Sequence, residues 1–230
     1  TILAATIQIV NDMIRVNAKL IHTKDSMILW SNSYEKKLEK DSYFKVQDEI
    51  SKDVADQLKV QFQEDEFLIL KRREPTQMEA YNYFQLGKHF EKRYRDFGRL
   101  EDFQRSVDNY QRAAEIERTY ALAYWGLGNI YEAYFVKEEK GLDLMLHNYE
   151  KAYELDNNLP EANSGLMWAY FYREDLEKGC QGLKKAVELD PNNAVINFHA
   201  GSFLRSIGLY DQAIKYYLKA IESNPLSVNN

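Results

Sequence analysis

The residue types able to ligate a metal or attack a carbon centre are few in this chain. The histidines are His22, His89, His147 and His199, and the one cysteine is Cys180. A metal site gathers His, Cys, Asp or Glu at short, regular spacings, and a reactive thiol needs a base or an electropositive setting. None of the four histidines has a second ligand type at such a spacing. They read as solvated or partly packed residues. Cys180 follows Gly179 at the start of a helix, where small side chains pack, and reads as a core thiol. The phrase GLGNIY (Gly126 to Tyr131) begins like a phosphate-cradling loop, but it lacks the final glycine, follows no strand and lies in helical periodicity. Acidic pairs such as Glu138-Glu139 read as solvated faces. The expectation is a chain without catalytic residues, metal or cofactor.

The remaining chemistry is that of surfaces, so the elements that would present them matter more. Of 230 residues, 45% are hydrophobic and 29% charged, with 17 Tyr, 11 Phe and 3 Trp. That supplies a core and argues against disorder. The formal net charge is −6 and the basic residues are interspersed; Lys71-Arg72-Arg73 is the longest basic run of note. Nucleic-acid binding needs a clustered basic face, so no nucleic-acid partner is expected. No apolar run approaches the ~20 residues of a membrane span. One cysteine permits no internal disulfide. The expected compartment is the cytoplasm, or the periplasm if a membrane segment lies upstream. The chain opens at Thr1 inside a strand pattern, which reads as a piece of a longer protein.

Period-two alternation marks Met13-Ile14-Arg15-Val16-Asn17-Ala18-Lys19-Leu20 as a half-buried strand. A two-residue turn at Asn11-Asp12 would face Ile9 with Ile14, Ile7 with Val16, Ala5 with Ala18 and Leu3 with Leu20. Gln8–Arg15 and Thr6–Asn17 then share the other face. A one-residue slip would scramble both faces, so this register is the expected one. Thr23 to Ser26 reads as a second turn, and Met27 begins a third strand. Val46, Ile50, Val54, Leu58 and Phe62 recur every four residues as a helix face, with Asp41 or Ser42 able to cap its start.

Further along, the segment from Pro160 to Asn193 aligns with that from Ala194 to Ser227, each 34 residues long. Leu183 and Tyr217, Ala186 and Ala220, and Pro191 and Pro225 recur at that interval. Gly208-Leu209-Tyr210-Asp211 reads as the tight turn, with Ala213 beginning the second helix. Earlier copies are longer: Tyr124 to Tyr149 carries five extra residues and Tyr83 to Tyr110 seven, near Lys137 to Lys140 and Arg95 to Gly98. Those extra residues lengthen either helices or turns. Thr76-Gln77-Met78-Glu79 has the capping-box pattern of a helix start. The small residues Gly87, Gly128, Ala152, Ala186, Gly201 and Ala220 permit close helix approach.

This 34-residue pattern resembles the tetratricopeptide repeat (TPR). The resemblance implies a mainly α fold: a TPR-type superhelix of helical hairpins, with a small N-terminal α/β segment of three antiparallel strands and a helix. The run from Ile14 to Leu58, ending in a VQDEI helix, resembles the last part of a TolB-amino-terminal-like domain. In bacteria that domain often sits in regulatory proteins between a cyclase or winged-helix output domain and helical repeats. The expected divisions are residues 1–64, a linker at 65–75, and four hairpins at 76–120, 121–159, 160–193 and 194–227.

The TPR resemblance also implies a site. The inner surface is lined by the second, fifth, ninth and twelfth positions of each first helix, and it binds protein or peptide segments. Here these include Tyr81, Phe84, Lys88 and Glu91, then Leu122, Trp125, Asn129 and Glu132. Next come Glu161, Ser164, Trp168 and Phe171, and last Val195, Phe198, Ser202 and Arg205. Relatives that grip terminal carboxylates use Lys, Asn and Arg at such places, and Lys88 and Asn129 echo them. The dominant feature is the set Phe84, Trp125, Trp168, Phe171 and Phe198. These rings either receive an apolar segment, oriented by Lys88, Asn129 and Arg205, or pack against neighbouring elements. The sheet edge of the front segment offers a surface for a homodimer.

Overall fold

The computed structural model describes residues 2–22, 26–37, 42–57, 75–138 and 140–223. They divide into two compact units, Thr1–Met78 and Glu79–Asn230. In the first unit, strands β1 (Ile2–Val10), β2 (Met13–Ile21) and β3 (Ile28–Lys37) form an antiparallel sheet in that order. Asn11 and Asp12 both have positive φ, at 50° and 58°, as a type I′ turn requires. The β1–β2 register is the expected one, with Ile9 opposite Ile14, Ile7 opposite Val16, Ala5 opposite Ala18 and Leu3 opposite Leu20.

Helix α1 (Ser42–Gln57) packs on β2 and β3. Val46 and Ile50 cover Ile14, Val16, Ala18 and Tyr34. Polar contacts fix the helix at the same place. The Tyr34 hydroxyl donates to Asp53 Oδ2 at 2.6 Å, and Lys36 pairs with Glu49 at 2.8 Å. Burial, then the bond to Asp53, pushes the Tyr34 hydroxyl up to about 12. Leu58, Phe62 and Asp41 lie outside the described residues. The expectation of a half-buried sheet holds for β2 and not for β1. Leu3, Ile7 and Ile9 share a face with the buried residues of β2, yet are 46%, 52% and 61% exposed. The pleat decides which side chains share a face, but it does not decide whether anything covers them.

The second unit is built of helix pairs. They are α2 (Met78–Phe97) with α3 (Leu100–Ile116), α4 (Ala121–Glu138) with α5 (Leu142–Leu155), α6 (Pro160–Tyr172) with α7 (Leu176–Leu189), and α8 (Ala194–Ser206) with α9 (Tyr210–Ser223). The extra residues of the early repeats extend the first helices. α2 has 20 residues and α4 has 18, against 13 in α6 and in α8. Asp175 caps α7 and Asn193 caps α8 by accepting from first-turn backbone N–H groups. α9 begins at Tyr210, three residues ahead of the expected Ala213. Gly208, at φ +83°, completes the turn by itself and leaves Tyr210 free to enter the helix. Cys180 is exposed and is not the core thiol expected. The buried small residue is its neighbour Gly179, whose missing Cβ would meet Phe203 at 3.1 Å.

The junctions between pairs follow one rule, with positions counted so that Tyr81, Leu122, Glu161 and Val195 are second in their helices. At the first two junctions, a tyrosine of the second helix enters a slot made by glycines at the eighth position of its own first helix and the sixth of the next. Tyr110 lies between Gly87 and Gly126, and Tyr149 between Gly128 and Gly165. A Cβ at any of the four would stand under 3.0 Å from the ring. The rings are fully buried. At the third junction Leu183 replaces the tyrosine, and Met167 and His199 occupy the two glycine positions. Tyr217 of the last helix rests on Gly201 alone.

Candidate functional site

Consecutive first helices touch one another as well as their partners, so α4, α6 and α8 present a common face. The residues expected to line it divide into three groups. Phe84 is 5% exposed and lies against Tyr110 and Tyr120, with ring centroids 5.6 and 5.3 Å away, so it belongs to the core. Trp125, Trp168 and Phe171 are half-buried. Trp168 and Phe171 stand 5.7 Å apart edge to face, and both pack on buried Phe203. Phe198 is 55% exposed. Lys88 is exposed with its Nζ 5.8 Å from the Phe84 ring, and Arg205 is exposed near the end of α8. Ser202 accepts from the Tyr217 hydroxyl at 3.1 Å.

Between these rings lies a polar floor that spans several repeats. Glu91 of α2 accepts from the Tyr110 hydroxyl at 2.7 Å and from Arg95 Nε at 3.0 Å. Arg95 also donates through Nη2 to the Asn129 backbone carbonyl at 3.1 Å, tying α2 to α4. The Tyr149 hydroxyl stands 2.8 Å from Asn129 Oδ1 and 3.0 Å from Glu132 Oε2. Burial raises the Glu132 carboxyl above the ordinary range; the Arg95 charge and the Tyr149 hydroxyl oppose this, and Glu91 adds to it. Burial and then Glu132 push the Tyr172 hydroxyl up to about 12. The slot tyrosines therefore serve twice, their rings filling the junctions and their hydroxyls holding carboxylates on the inner face.

Sequence reasoning placed Asn129 and Glu132 on this face but missed Arg95, Tyr149, Tyr172 and His199 as its companions. Arg95 lies in the seven-residue extension of α2, beyond the positions the repeat pattern counts. The tyrosine hydroxyls of Tyr110 and Tyr149 reach the face from second helices.

One further pair has the geometry with which nucleophilic catalysis begins. Ser164 Oγ and His199 Nδ1 are 2.8 Å apart, joining α6 to α8. Ser164, however, is 2% exposed, and no hydrogen-bonded carboxylate orients the ring among the described residues. Burial, then the charge of Arg95, lowers the His199 pKa to about 4. A base that weak takes a proton poorly near neutrality. Its neutral imidazole instead meets the serine as a hydrogen-bond partner at the junction whose two slot positions are Met167 and His199. Among the described residues, no three His, Cys, Asp or Glu side chains converge as a metal site would require, and no helix is long and apolar enough to cross a membrane.

Residues 194–225, a span that contains α8, α9 and their turn, match the family model of the tetratricopeptide repeat. No curated protein matches the chain. Among solved structures, a thermophilic TPR protein of Thermus thermophilus is similar over 65% of this chain and 94% of its own, at 18% identity and a TM-score of 0.50. MamA is similar over 66% of this chain and 81% of its own, at 22% identity and a TM-score of 0.43. The likeness to the Thermus protein is one of fold, and it agrees with the helix pairs. The helical unit of this chain is a tetratricopeptide-type repeat array.

Proposed function

We propose that the first-helix face of the array is a groove for a segment of another protein, and that the chain is a non-catalytic interaction module. The observation that carries this is Phe198. It exposes 55% of its surface on a face where Trp125, Trp168 and Phe171 are already half-covered. Large aromatics supply much of the binding energy at interfaces, and exposed apolar surface beside ordered polar groups favours a contact site. Ser202 and Arg205 stand on the same helix, one and two turns further on, and can orient the segment.

The test is capture of partners from lysate by the intact chain and by Phe198→Ala. Loss of the captured proteins with a melting temperature close to the parent's is the expected result, because the ring is 55% exposed and its packing is confined to the Tyr217 and His199 rings, with centroids 5.7 and 6.3 Å away. Undiminished capture by the variant would contradict the groove. Trp168→Ala is the less informative change, since that ring packs on Phe203 and its loss also lowers stability.

The resemblance of the sheet unit to a TolB-amino-terminal-like domain supports a wider reading, in which the chain works within a bacterial regulatory protein of the cytoplasm. The exposed apolar face of β1 favours pairing of that strand with a second copy, since unpaired edges recruit strands. Light scattering of the chain should give a dimer; a monodisperse monomer would argue against this pairing.

A further inference from the structure

We infer that the groove anchors a basic side chain of its partner, an arginine, on the Glu132 carboxylate beside the stacked Trp168–Tyr172 pair. This rests on the groove reading above and specifies its occupant by charge complementarity. Among the described residues, the floor holds the carboxylates Glu91 and Glu132 and the cation Arg95. The hydrogen bonds of the cation go to Glu91, through Nε at 3.0 Å, and to the Asn129 carbonyl, through Nη2 at 3.1 Å; it acts on Glu132 through its charge alone. His199 adds no positive charge near neutrality, because its pKa lies at about 4. Lys88 and Arg205 are exposed.

Hydrogen bonding leads to the same conclusion. The Tyr149 hydroxyl has one proton and two acceptors, Asn129 Oδ1 at 2.8 Å and Glu132 Oε2 at 3.0 Å. An ionised carboxylate accepts several hydrogen bonds, and a guanidinium fork supplies two in parallel. Glu132 is thus the floor residue with acceptor capacity to spare. Tyr172, whose hydroxyl the Glu132 charge helps to push up, stacks on Trp168 with centroids 6.0 Å apart and an interplanar angle of 28°. Indole and phenol faces attract a guanidinium and stack against its plane, which an ammonium cannot match. An acidic segment or a terminal carboxylate would place a third negative charge beside Glu91 and Glu132, so this floor disfavours it.

The experiment uses the full chain and four fluorescein-labelled nonapeptides. Their central residue is Arg, Lys, Gln or Glu, flanked by Leu and Phe for the aromatic wall. Anisotropy should show the Arg peptide binding at least about tenfold more tightly than the Gln peptide, with Lys between and Glu weakest. Glu132→Gln should bring Arg and Gln within about threefold, while Lys184→Gln, at an exposed position of α7 away from the groove, keeps the Arg advantage. In the unaltered chain, carboxyl carbon titration should show the Arg peptide lowering the Glu132 pKa, a readout that does not depend on how the variant folds. An Arg advantage that survives Glu132→Gln, a tighter Glu peptide, or no Arg binding at about 1 mM would overturn the inference. Equal protection of α4 and α6 from hydrogen exchange by all four peptides would also overturn it, yet leave the groove standing. An Arg peptide bound without protecting α4 or α6 would contradict both.

Discussion

The first two junctions of the array and the third solve one packing problem in different ways. At the first two, a tyrosine ring is pressed between two glycines, and its hydroxyl emerges to bind a carboxylate. At the third, Met167 and His199 stand at the two glycine positions and Leu183 at that of the tyrosine. The three positions change together within one chain: a ring appears where both facing side chains are absent and disappears where both are present. The choice also decides the inner face. Where the tyrosines reach through, Glu91 and Glu132 can be held on the floor; where they do not, the His199–Ser164 bond joins the helices.

The largest effect should follow from breaking a slot. Gly165→Ala gains about 1 kcal/mol of helix propensity. It also drives a methyl into the Tyr149 ring, and overpacking of this kind costs about 1–3 kcal/mol or more. Because the ring is held from the other side by Gly128, the overpacking should win, with a net loss of about 2 kcal/mol in a denaturant titration. At the third junction Met167→Leu, which conserves volume, should cost less than about 1.5 kcal/mol. Equal losses at the two sites would remove the distinction between the junctions.

Acid sharpens the comparison from the other side. The folded pKa of His199, about 4, lies below its unfolded value of 6.5. Above 6.5 the imidazole is neutral in both states and its contribution is fully present. As the pH falls from 6.5 towards 4, the unfolded chain takes up a proton that the folded chain refuses, and stability is lost. At about 1.36 kcal/mol per unit, the loss is at most about 3 kcal/mol, and about 2 with allowance for the ring's partial exposure. His199→Asn, which keeps a partner for Ser164, should flatten the stability profile in this window. An unaltered profile in the variant would show that the imidazole is not the group responsible.

Tyr149→Phe comes next. It leaves the ring in its slot but strips the floor of a donor, and a buried acceptor left unpaired costs about 1–3 kcal/mol. Tyr217→Phe should cost under about 1 kcal/mol, because Ser202 lies where water can replace the hydroxyl. Of similar size is Phe198→Ala, at about 0.5–1 kcal/mol, because the ring is mostly exposed and touches the Tyr217 ring with centroids 5.7 Å apart.

How much of this was legible beforehand depends on range. The β1–β2 register followed from alternation and a two-residue turn, because both are local. The 34-residue period revealed the helix pairs, and the seven extra residues before Tyr110 gave the length of the α2 extension. The exposure of Leu3, Ile7 and Ile9 was not legible, since a strand pattern is silent on what lies above it. Cys180 was misplaced by one residue: near a helix start, neighbouring positions face different ways, and Gly179 takes the buried one. The Glu91–Arg95–Glu132 floor was also hidden. Its members come from α2 and α4 and are joined by hydroxyls from α3 and α5, contacts that no single helix periodicity encodes.

The most direct test of the groove is hydrogen exchange on the intact chain with and without a protein captured from lysate. The account predicts added protection concentrated in α4, α6 and α8, around Asn129, Trp168 and Phe198, with the exposed faces of α3, α5 and α7 unchanged. Protection confined to the second helices, or to the strands of the first unit, would contradict it.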